Sequence, residues 1–351
     1  MLNNYMWFYY TIFFFCFVVL YVGTIYRKEI YFYIFALIIL ISIAAFRSPS
    51  SNNDYKEYVY YYNNLSSLTL QQVEPTFIVI ANISKVVFGS PIGLFIIYSI
   101  LGVSLKGLAF FKLTKFYLLS LLLYVSFYFL LHEMTQIRVG VASAILLLSI
   151  PFMYDRKLWI FFLLCIVGIC FHYSFLAFPL CYFLDTKKLN VKIYLIVIGC
   201  GIVARLLSIS PLTLISTLNL EAVFPKIQGY QLLLAQDVNS RINLFDKLFL
   251  LRVLILLFFI WKWHVIYKYN QYAVILIKLY AISVIMYIVL SDLPVVGIRM
   301  RELFGIVEVI LIPLSLYVIK PRYVSVLITV IFALVMLSIE LINTQLVKSY
   351  F

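Results

Sequence analysis

Arginines beside long apolar runs are the feature of this sequence that most needs a chemical explanation. A guanidinium stays charged at physiological pH, and its planar fork matches the oxygens of a phosphate. A charge close to hydrocarbon is costly, so such a residue usually faces a partner or a cavity. The arginines concerned are Arg47, Arg138, Arg205, Arg241, Arg252, Arg299 and Arg301. Together they predict a site for a lipid that carries a phosphate or a diphosphate.

The alternative role for these arginines is structural. They could form salt bridges that only lock neighbouring helices together, and the sequence predicts this role for some of them. The acids available for such pairs are Asp54, Glu74, Glu133, Asp237, Asp292 and Glu302.

One stretch, His132-Glu133-Met134-Thr135-Gln136-Ile137-Arg138, concentrates polar side chains between two apolar runs. The runs are Phe116–Leu131 and Val139–Phe152, and each is long enough to belong in a bilayer. We therefore expect Gln136 and Arg138 at a membrane boundary, where they could bind the phosphate-bearing ligand. The alternative is a plain loop in which the long stem of Arg138 lets its head reach the lipid headgroups.

Three side chains could accept a proton in such a site: Asp54, Glu74 and His172. His172 lies next to Ser174 inside an apolar run, where a break in the helix could line a cavity. A neutral imidazole could take a proton there, and an imidazolium could hold a phosphate. A packed structural histidine is the alternative. The sequence does not show which of Asp54, Glu74 and His172 accepts the proton.

A tyrosine-rich segment follows the helix start signal Ser51-Asn52-Asn53-Asp54. Tyr55, Tyr58 and Tyr62 recur at helical spacing and so share one face. Tyrosines are common in the aromatic belt at membrane interfaces, but their flat rings and hydroxyls also suit sugar binding. Nearby amides favour carbohydrate; they are Asn52, Asn53, Asn63 and Asn64.

The composition decides which elements position these residues. Hydrophobic residues make up 65% of the 351-residue chain and charged residues 12%, which excludes an ordinary soluble protein. Continuous apolar runs predict helices rather than the alternating strands of a barrel. The net charge of +13 is scattered over short loops, which suits lipid headgroups better than nucleic acid. We predict an all-α, polytopic membrane protein with one transmembrane domain over residues 1–351.

About twelve membrane crossings are expected, because each needs about 20 apolar residues. The predicted apolar segments are Tyr5–Tyr26, Ile30–Phe46, Thr76–Phe88, Ile92–Phe111, Phe116–Leu131, Val139–Tyr154, Leu158–Leu184, Val191–Leu207, Phe249–Trp261 with an extension, Ala273–Leu290, Leu303–Ile319 and Val324–Ile342.

Two of these segments are expected to be irregular. Gly89-Ser90-Pro91 should end the short or re-entrant helix Thr76–Phe88 before a full span begins. Leu158–Leu184 has basic residues at both ends, which predicts a broken hairpin that turns at Phe171-His172-Tyr173-Ser174. By the excess of basic residues in cytoplasmic loops, residues 47–74 and 208–246 are predicted to be external segments.

Cofactor motifs do not occur in the sequence. It has no HExxH, no cysteine cluster and no glycine-rich phosphate loop, so neither a bound zinc nor a nucleotide is predicted. The five cysteines lie inside apolar runs, without the spacing of a metal site or a disulfide.

Several short motifs, taken in order, resemble one family. They are Phe46-Arg47 with Asn53-Asp54-Tyr55, Glu74-Pro75-Thr76-Phe77, Gln136-Ile137-Arg138-Val139-Gly140-Val141-Ala142, Phe171-His172-Tyr173-Ser174 and Arg299-Met300-Arg301-Glu302-Leu303-Phe304. In this order and spacing they resemble the EpsG-like polysaccharide polymerases, which are similar to the Wzy polymerases of bacterial O-antigen and capsule.

The resemblance implies an integral inner-membrane glycosyltransferase whose active site faces the periplasm. It would join oligosaccharide repeat units, with both donor and acceptor carried on undecaprenyl diphosphate. Its other partners would be bacterial membrane lipids and could include a chain-length regulator and a flippase of the same pathway, with no nucleic acid and no cofactor.

On this resemblance, arginines would stabilise the departing diphosphate without a metal ion. The expected catalytic residues are Arg138, His172, Asp54 and Glu74. The expected ligands of the diphosphate or the sugars are Arg47, Arg205, Arg299, Arg301, Tyr55, Tyr58 and Gln136.

Two other functions remain open at this point. A flippase for lipid-linked oligosaccharides would need arginines along a central cavity in both leaflets. A membrane O-acyltransferase acting on the same glycans would need a histidine and an arginine near the cytoplasmic face. The side of the membrane on which His132–Arg138 lies would separate these functions from a polymerase.

Overall fold

The computed structural model describes residues 4–70, 72–211, 213, 217, 242–344 and 347. Within these residues the regular structure is helical and no strand occurs. The α-helices are α1 (Asn4–Ile25), α2 (Glu29–Ala45), α3 (Asn53–Asn63), α4 (Pro75–Phe88), α5 (Ile92–Leu113), α6 (Tyr117–Ser126), α7 (Ile137–Tyr154), α8 (Leu158–Phe171), α9 (Val191–Leu206), α10 (Lys247–Tyr267), α11 (Ala273–Val289), α12 (Pro294–Gly305), α13 (Glu308–Leu314) and α14 (Arg322–Ile339).

Several of these helices can cross a membrane. In the part of the chain that the structure describes, five helices are long and apolar enough, or six if one bent pair counts as a single span. The all-helical, polytopic membrane class is therefore confirmed, while the count of about twelve crossings stays a prediction. Many large apolar side chains face outward, as a lipid-exposed surface requires.

The chain forms two compact units. Unit 1 comprises residues 1–182 and 312–351, and unit 2 comprises residues 183–311. In unit 1, α5 packs against α2, α4 and α7, and α7 packs against α8. Helix α7 is buried along most of its length, so its polar first turn lies inside the protein.

The start of α3 and the end of α4 follow the sequence signals. The Asn52 side chain accepts a hydrogen bond from the Tyr55 amide at 2.7 Å, as a helix N-cap should. Gly89 ends α4 with a φ of +61°, a conformation that costs glycine little. The predicted break between α4 and the following span is confirmed.

The hairpin predicted over Leu158–Leu184 is also confirmed. Helix α8 ends at Phe171, and a 3₁₀ segment over Tyr173–Phe183 follows the extended residue His172. The returning chain reaches the start of the hairpin, since the Tyr182 hydroxyl donates to the Arg156 carbonyl at 2.9 Å. His172 therefore lies at the break.

The span predicted over Phe116–Leu131 is bent rather than one continuous helix. Helix α6 ends at Ser126, and a π-helical segment, Phe129–Thr135, continues at an angle of 64°. The predicted boundary residues His132 and Glu133 lie inside this segment and are fully buried. The physical reason is that Glu133 has buried partners on α5 and α6, which hold the chain away from a straight course.

Unit 2 departs from the predicted spans at one place. The run Leu303–Ile319, predicted as one span, is interrupted after Gly305, and a new helix begins at Glu308. Glu308 lies 3.7 Å from Nε of Arg252 on α10, and this pairing accompanies the break. Most of the external segment predicted over residues 208–246 lies outside the described residues, as do Asp237 and Arg241.

Candidate active site

The centre of the candidate site is an ion pair between Arg138 and Glu74. Arg138 lies in the first turn of α7, and Glu74 immediately precedes the proline that begins α4. Nη1 of Arg138 donates to Oε2 of Glu74, and the two side chains are 16% and 5% exposed. A buried charge is tolerated only with such a partner, so each of the two residues explains the position of the other.

His172 faces the same carboxylate. Its Nε2 lies 3.7 Å from Oε1 of Glu74, and its Nδ1 accepts the Ser174 backbone N–H at 3.2 Å. An Nδ1 that accepts a hydrogen bond puts the ring proton of neutral His172 on Nε2, whose 3.7 Å distance to Oε1 of Glu74 is longer than a hydrogen bond. The Thr76 hydroxyl donates to the Cys170 carbonyl at 2.7 Å, which fixes α4 against the end of α8.

Aromatic rings cover the guanidinium of Arg138. The Tyr58 and Phe77 ring centroids lie 5.7 and 5.8 Å from its central carbon. Ring faces attract a cation, most strongly where water is excluded. Burial raises the pKa of Tyr58, so its phenol stays neutral near physiological pH. We call Tyr58, Glu74, Arg138 and His172 the Glu74 site.

A second arginine, Arg47, contacts the C-terminal end of the π-helical segment Phe129–Thr135. Its Nη1 donates to the Met134 carbonyl at 2.7 Å, and the Asn52 amide donates to the same oxygen. The Phe95 ring stacks on the Arg47 guanidinium at 4.6 Å and on the Tyr55 ring at 4.6 Å. Gln136 immediately precedes α7, so the π-helical segment joins Arg47 to the turn that carries Arg138.

Comparison with known proteins decides the family. A model of the EpsG family matches residues 30–350, nearly the whole chain. The chain belongs to the EpsG family. This family is polysaccharide polymerase-like, so the protein is a multi-pass membrane protein of polysaccharide biosynthesis. No curated protein and no solved structure shows significant similarity to the chain.

The other site residues expected from the EpsG resemblance lie in different surroundings. Asp54 is in the first turn of α3, close enough to Tyr58 for its charge to raise the pKa of that phenol. In unit 2, the Arg205 guanidinium donates to both oxygens of Asp292, at 2.7 and 2.6 Å. Arg301 pairs with Glu302 at 3.2 Å, and Arg299 is exposed. Salt bridges, the alternative role, thus account for part of the arginine set.

Sequence reasoning missed two buried lysines in this EpsG family member. Lys106 on α5 and Lys278 on α11 are 0% and 4% exposed. A single charged residue in the middle of an apolar run is the signal that could have identified both. Phe77 and Phe95, which cover the arginines, gave no such signal because apolar aromatics occur throughout the chain.

The acidic and basic groups of the Glu74 site do not form a metal cluster. Among the described residues, no group of three or more His, Cys, Asp or Glu side chains could hold an ion. The site instead combines the guanidinium of Arg138, the carboxylate of Glu74 and the imidazole of His172, all of them largely shielded from water. Such a set can bind an oxyanion and accept a proton.

Proposed function

We propose that this protein polymerises oligosaccharide repeat units carried on undecaprenyl diphosphate, at the periplasmic face of the bacterial inner membrane. Membership of the EpsG family supports the reaction class. The observation that carries the proposal is the convergence of Arg138, Glu74 and His172 in one buried place. It brings a phosphate-binding group within reach of a proton acceptor.

The proposed reaction is glycosyl transfer. A hydroxyl oxygen of the acceptor forms a bond to the anomeric carbon of the donor sugar, and the bond from that carbon to the diphosphate oxygen breaks. The electron pair of the broken bond leaves with the lipid diphosphate. Negative charge grows on that group in the transition state, where a preorganised guanidinium stabilises it.

Arg138 has the assigned role of binding this diphosphate. It releases the Glu74 carboxylate and pairs with the diphosphate instead. The exchange frees an oxygen of Glu74 to receive the proton of the acceptor hydroxyl. Binding of the donor thereby prepares the base, so the leaving group and the proton acceptor are engaged in one event.

The geometry favours Glu74 over His172 as the proton acceptor. Nδ1 of His172 already accepts a backbone N–H, and Nε2, which then carries the ring proton, lies 3.7 Å from Oε1 of Glu74. In this state the ring orients the carboxylate rather than removing a proton itself. His172 thus acts beside the base, and Asp54 contributes through the electrostatics around Tyr58.

The remaining expected ligands complete the proposal. The π-helical segment leads to Arg138, with Arg47 bound to its Met134 carbonyl and Gln136 directly after it. Tyr55 packs on the Phe95 ring that also covers Arg47. The second phosphate or the first sugars would bind beside these three residues. Arg299 is exposed in unit 2 and stays a predicted ligand of the charged part of the substrate. Arg205 and Arg301 would bind only after releasing Asp292 and Glu302.

Reconstituted vesicles test this function directly. Purified protein is supplied with lipid-linked repeat units, and glycan length and released undecaprenyl diphosphate are measured. The proposal predicts longer chains with one diphosphate released per bond formed. Repeat units that cross the bilayer without lengthening would instead show a flippase, and acylated units of unchanged length an acyltransferase; either result contradicts the proposal.

A further inference from the structure

Among the residues that the structure describes, Lys106 is the most completely buried charged side chain outside the Glu74 site. It lies in the interior of α5, a 22-residue apolar helix, with 0% of its surface exposed. Placing an ammonium there costs several kcal/mol before its partners are counted. A hydrophobic residue of similar size would avoid this cost, so the position of the lysine needs a separate reason.

The contacts of Lys106 reach two different backbone segments. Its Nζ pairs with Oε1 of Glu133 in the π-helical segment and donates to the Gly140 carbonyl of α7 at 2.7 Å. The Tyr124 hydroxyl of α6 donates to the same Glu133 oxygen at 2.9 Å. One ammonium therefore connects α5, the π-helical segment and α7.

Two glycines make room for the Glu133 carboxylate. A Cβ on Gly102, one turn before Lys106, would lie 2.1 Å from Oε2 of Glu133. A Cβ on Gly140 would lie 3.3 Å from the same oxygen. The carboxylate is thus enclosed between α5 and α7 and has little freedom to move.

Both segments held by Lys106 carry groups of the candidate site. Glu133 is adjacent to Met134, whose carbonyl accepts from Arg47 and Asn52. Gly140 lies two residues after Arg138 in the first helical stretch of α7. A shift of the Lys106 ammonium would displace the anchor of Arg47 and the turn of Arg138 together.

We propose that Lys106 is a positioning residue for the glycosyl transfer, acting through Glu133 and Gly140 on Arg138 and Arg47. The assignment rests on the proposed function of the Glu74 site. Lys106 itself does not touch the substrate. Its charge holds two backbone segments at a fixed separation, as a preorganised phosphate site requires.

The test removes both charges and keeps the shape. Lys106→Met with Glu133→Gln avoids leaving an unpaired buried carboxylate. A geometric error of about 1 Å costs about 100-fold, so we expect kcat per folded molecule to fall about 10- to 100-fold, with KM for the donor changed less than about threefold. Tyr124→Phe, which removes one hydrogen bond and no charge, should lower kcat severalfold.

Lys278→Met is the matched control. Lys278 is also a buried lysine of an apolar helix, and its Nζ donates to the Asp185 carbonyl at 2.5 Å within unit 2. We expect its kcat per folded molecule to stay close to that of the wild type.

A double-mutant cycle separates positioning from general packing. If Lys106 acts through Arg138, the Lys106→Met and Glu133→Gln pair should lower kcat much less in an Arg138→Ala background than in the wild type. Fully additive losses, or unchanged kcat in both the charge-free pair and Tyr124→Phe, would overturn the assignment. Failure of the proposed function is distinguishable, because the wild type would then form no polymer at all.

Discussion

At the scale of single residues, the proposed function depends on how Arg138 and Glu74 share one ion pair. Each supplies what the other needs for burial, and a diphosphate can take the place of the carboxylate. A lysine at position 138 would keep the charge, but as a point donor it would lose the planar fork and the guanidinium contacts with the Tyr58 and Phe77 rings.

We therefore expect Arg138→Lys to reduce polymer formation by about 100-fold while the amount of protein in membranes is unchanged. The exposed Arg322 provides a matched control, since Arg322→Lys makes the same chemical change at the solvent-accessible start of α14. Glycan length on the cell surface, normalised to membrane protein, is the measurement. Normal-length chains from Arg138→Lys would make the residue structural.

His172 is the second residue with a graded prediction. Because the proposed role of His172 is to orient Glu74 rather than to remove the proton, His172→Ala should lower polymer per folded molecule by about 10-fold. The loss of a proton acceptor typically costs about 10²–10⁴ in rate. His264→Ala should have little effect, since His264 stacks on its neighbour Trp263 at 3.6 Å within unit 2. Equal activities of the two alanine variants would remove His172 from the site.

At the scale of elements, the bend between α6 and the π-helical segment is the feature that builds the site. It turns Met134 towards Arg47 and places Glu133 against α5. Gly102 and Gly140, which leave space for the Glu133 carboxylate, are thus as important for building the site as its polar residues. Helix packing in a membrane often depends on such small residues.

Gly102→Ala tests this packing. The new methyl would meet the Glu133 carboxylate, so the helices must separate or the carboxylate must move, at a cost of about 1–3 kcal/mol. Gly199→Ala is the control, because a Cβ there meets nothing within 4 Å. Thermal unfolding in detergent should show a lower Tm only for Gly102→Ala, and equal Tm values would show that α5 and α7 adjust freely.

Much of this element structure could be predicted from the sequence. The apolar runs set the helix lengths, Gly89-Ser90-Pro91 marked a real break, and Asn52 caps α3 as expected. The bend before His132 could not be predicted, because Glu133 in the bent segment pairs with Lys106, which lies 27 residues earlier in the chain. A local pattern does not encode a contact of that kind.

The candidate site was predicted in the same partial way. Sequence reasoning named Glu74, Arg138 and His172, but it could not place them together, because 64 residues separate Glu74 from Arg138. It left the choice of base open, whereas the hydrogen bond from the Ser174 amide to Nδ1 of His172 now favours Glu74. The hydrophobic periodicity of a segment indicates which face of the helix a residue occupies. It does not indicate which distant helix that face contacts.

At the scale of the whole molecule, the proposed reaction requires residues 47–74 to face the periplasm. Thr135 is too buried to report sidedness by labelling, but Lys56 and Glu57 are exposed on α3. In a background without native thiols, single cysteines at 56 and 57 should react with an impermeant reagent in cells whose periplasm is accessible. Cysteines replacing the exposed Lys157 and Lys188 should react only after the inner membrane is opened.

The reverse labelling pattern would place the Glu74 site on the cytoplasmic side and contradict the periplasmic proposal. Labelling at all four positions before the membrane is opened would indicate damaged cells. A cysteine at an exposed lipid-facing position such as Ile38 serves as the control that should not react in either case.

Single-turnover kinetics tests most directly whether the Glu74 carboxylate receives the acceptor proton during glycosyl transfer from a lipid diphosphate. Wild type, Glu74→Gln and the exposed control Glu57→Gln are reconstituted with lipid-linked donor and acceptor, and released undecaprenyl diphosphate is followed with time. We predict that Glu74→Gln still binds the donor but releases diphosphate about 10²–10⁴ times more slowly, while Glu57→Gln matches the wild type. Release by Glu74→Gln at the wild-type rate would contradict the account.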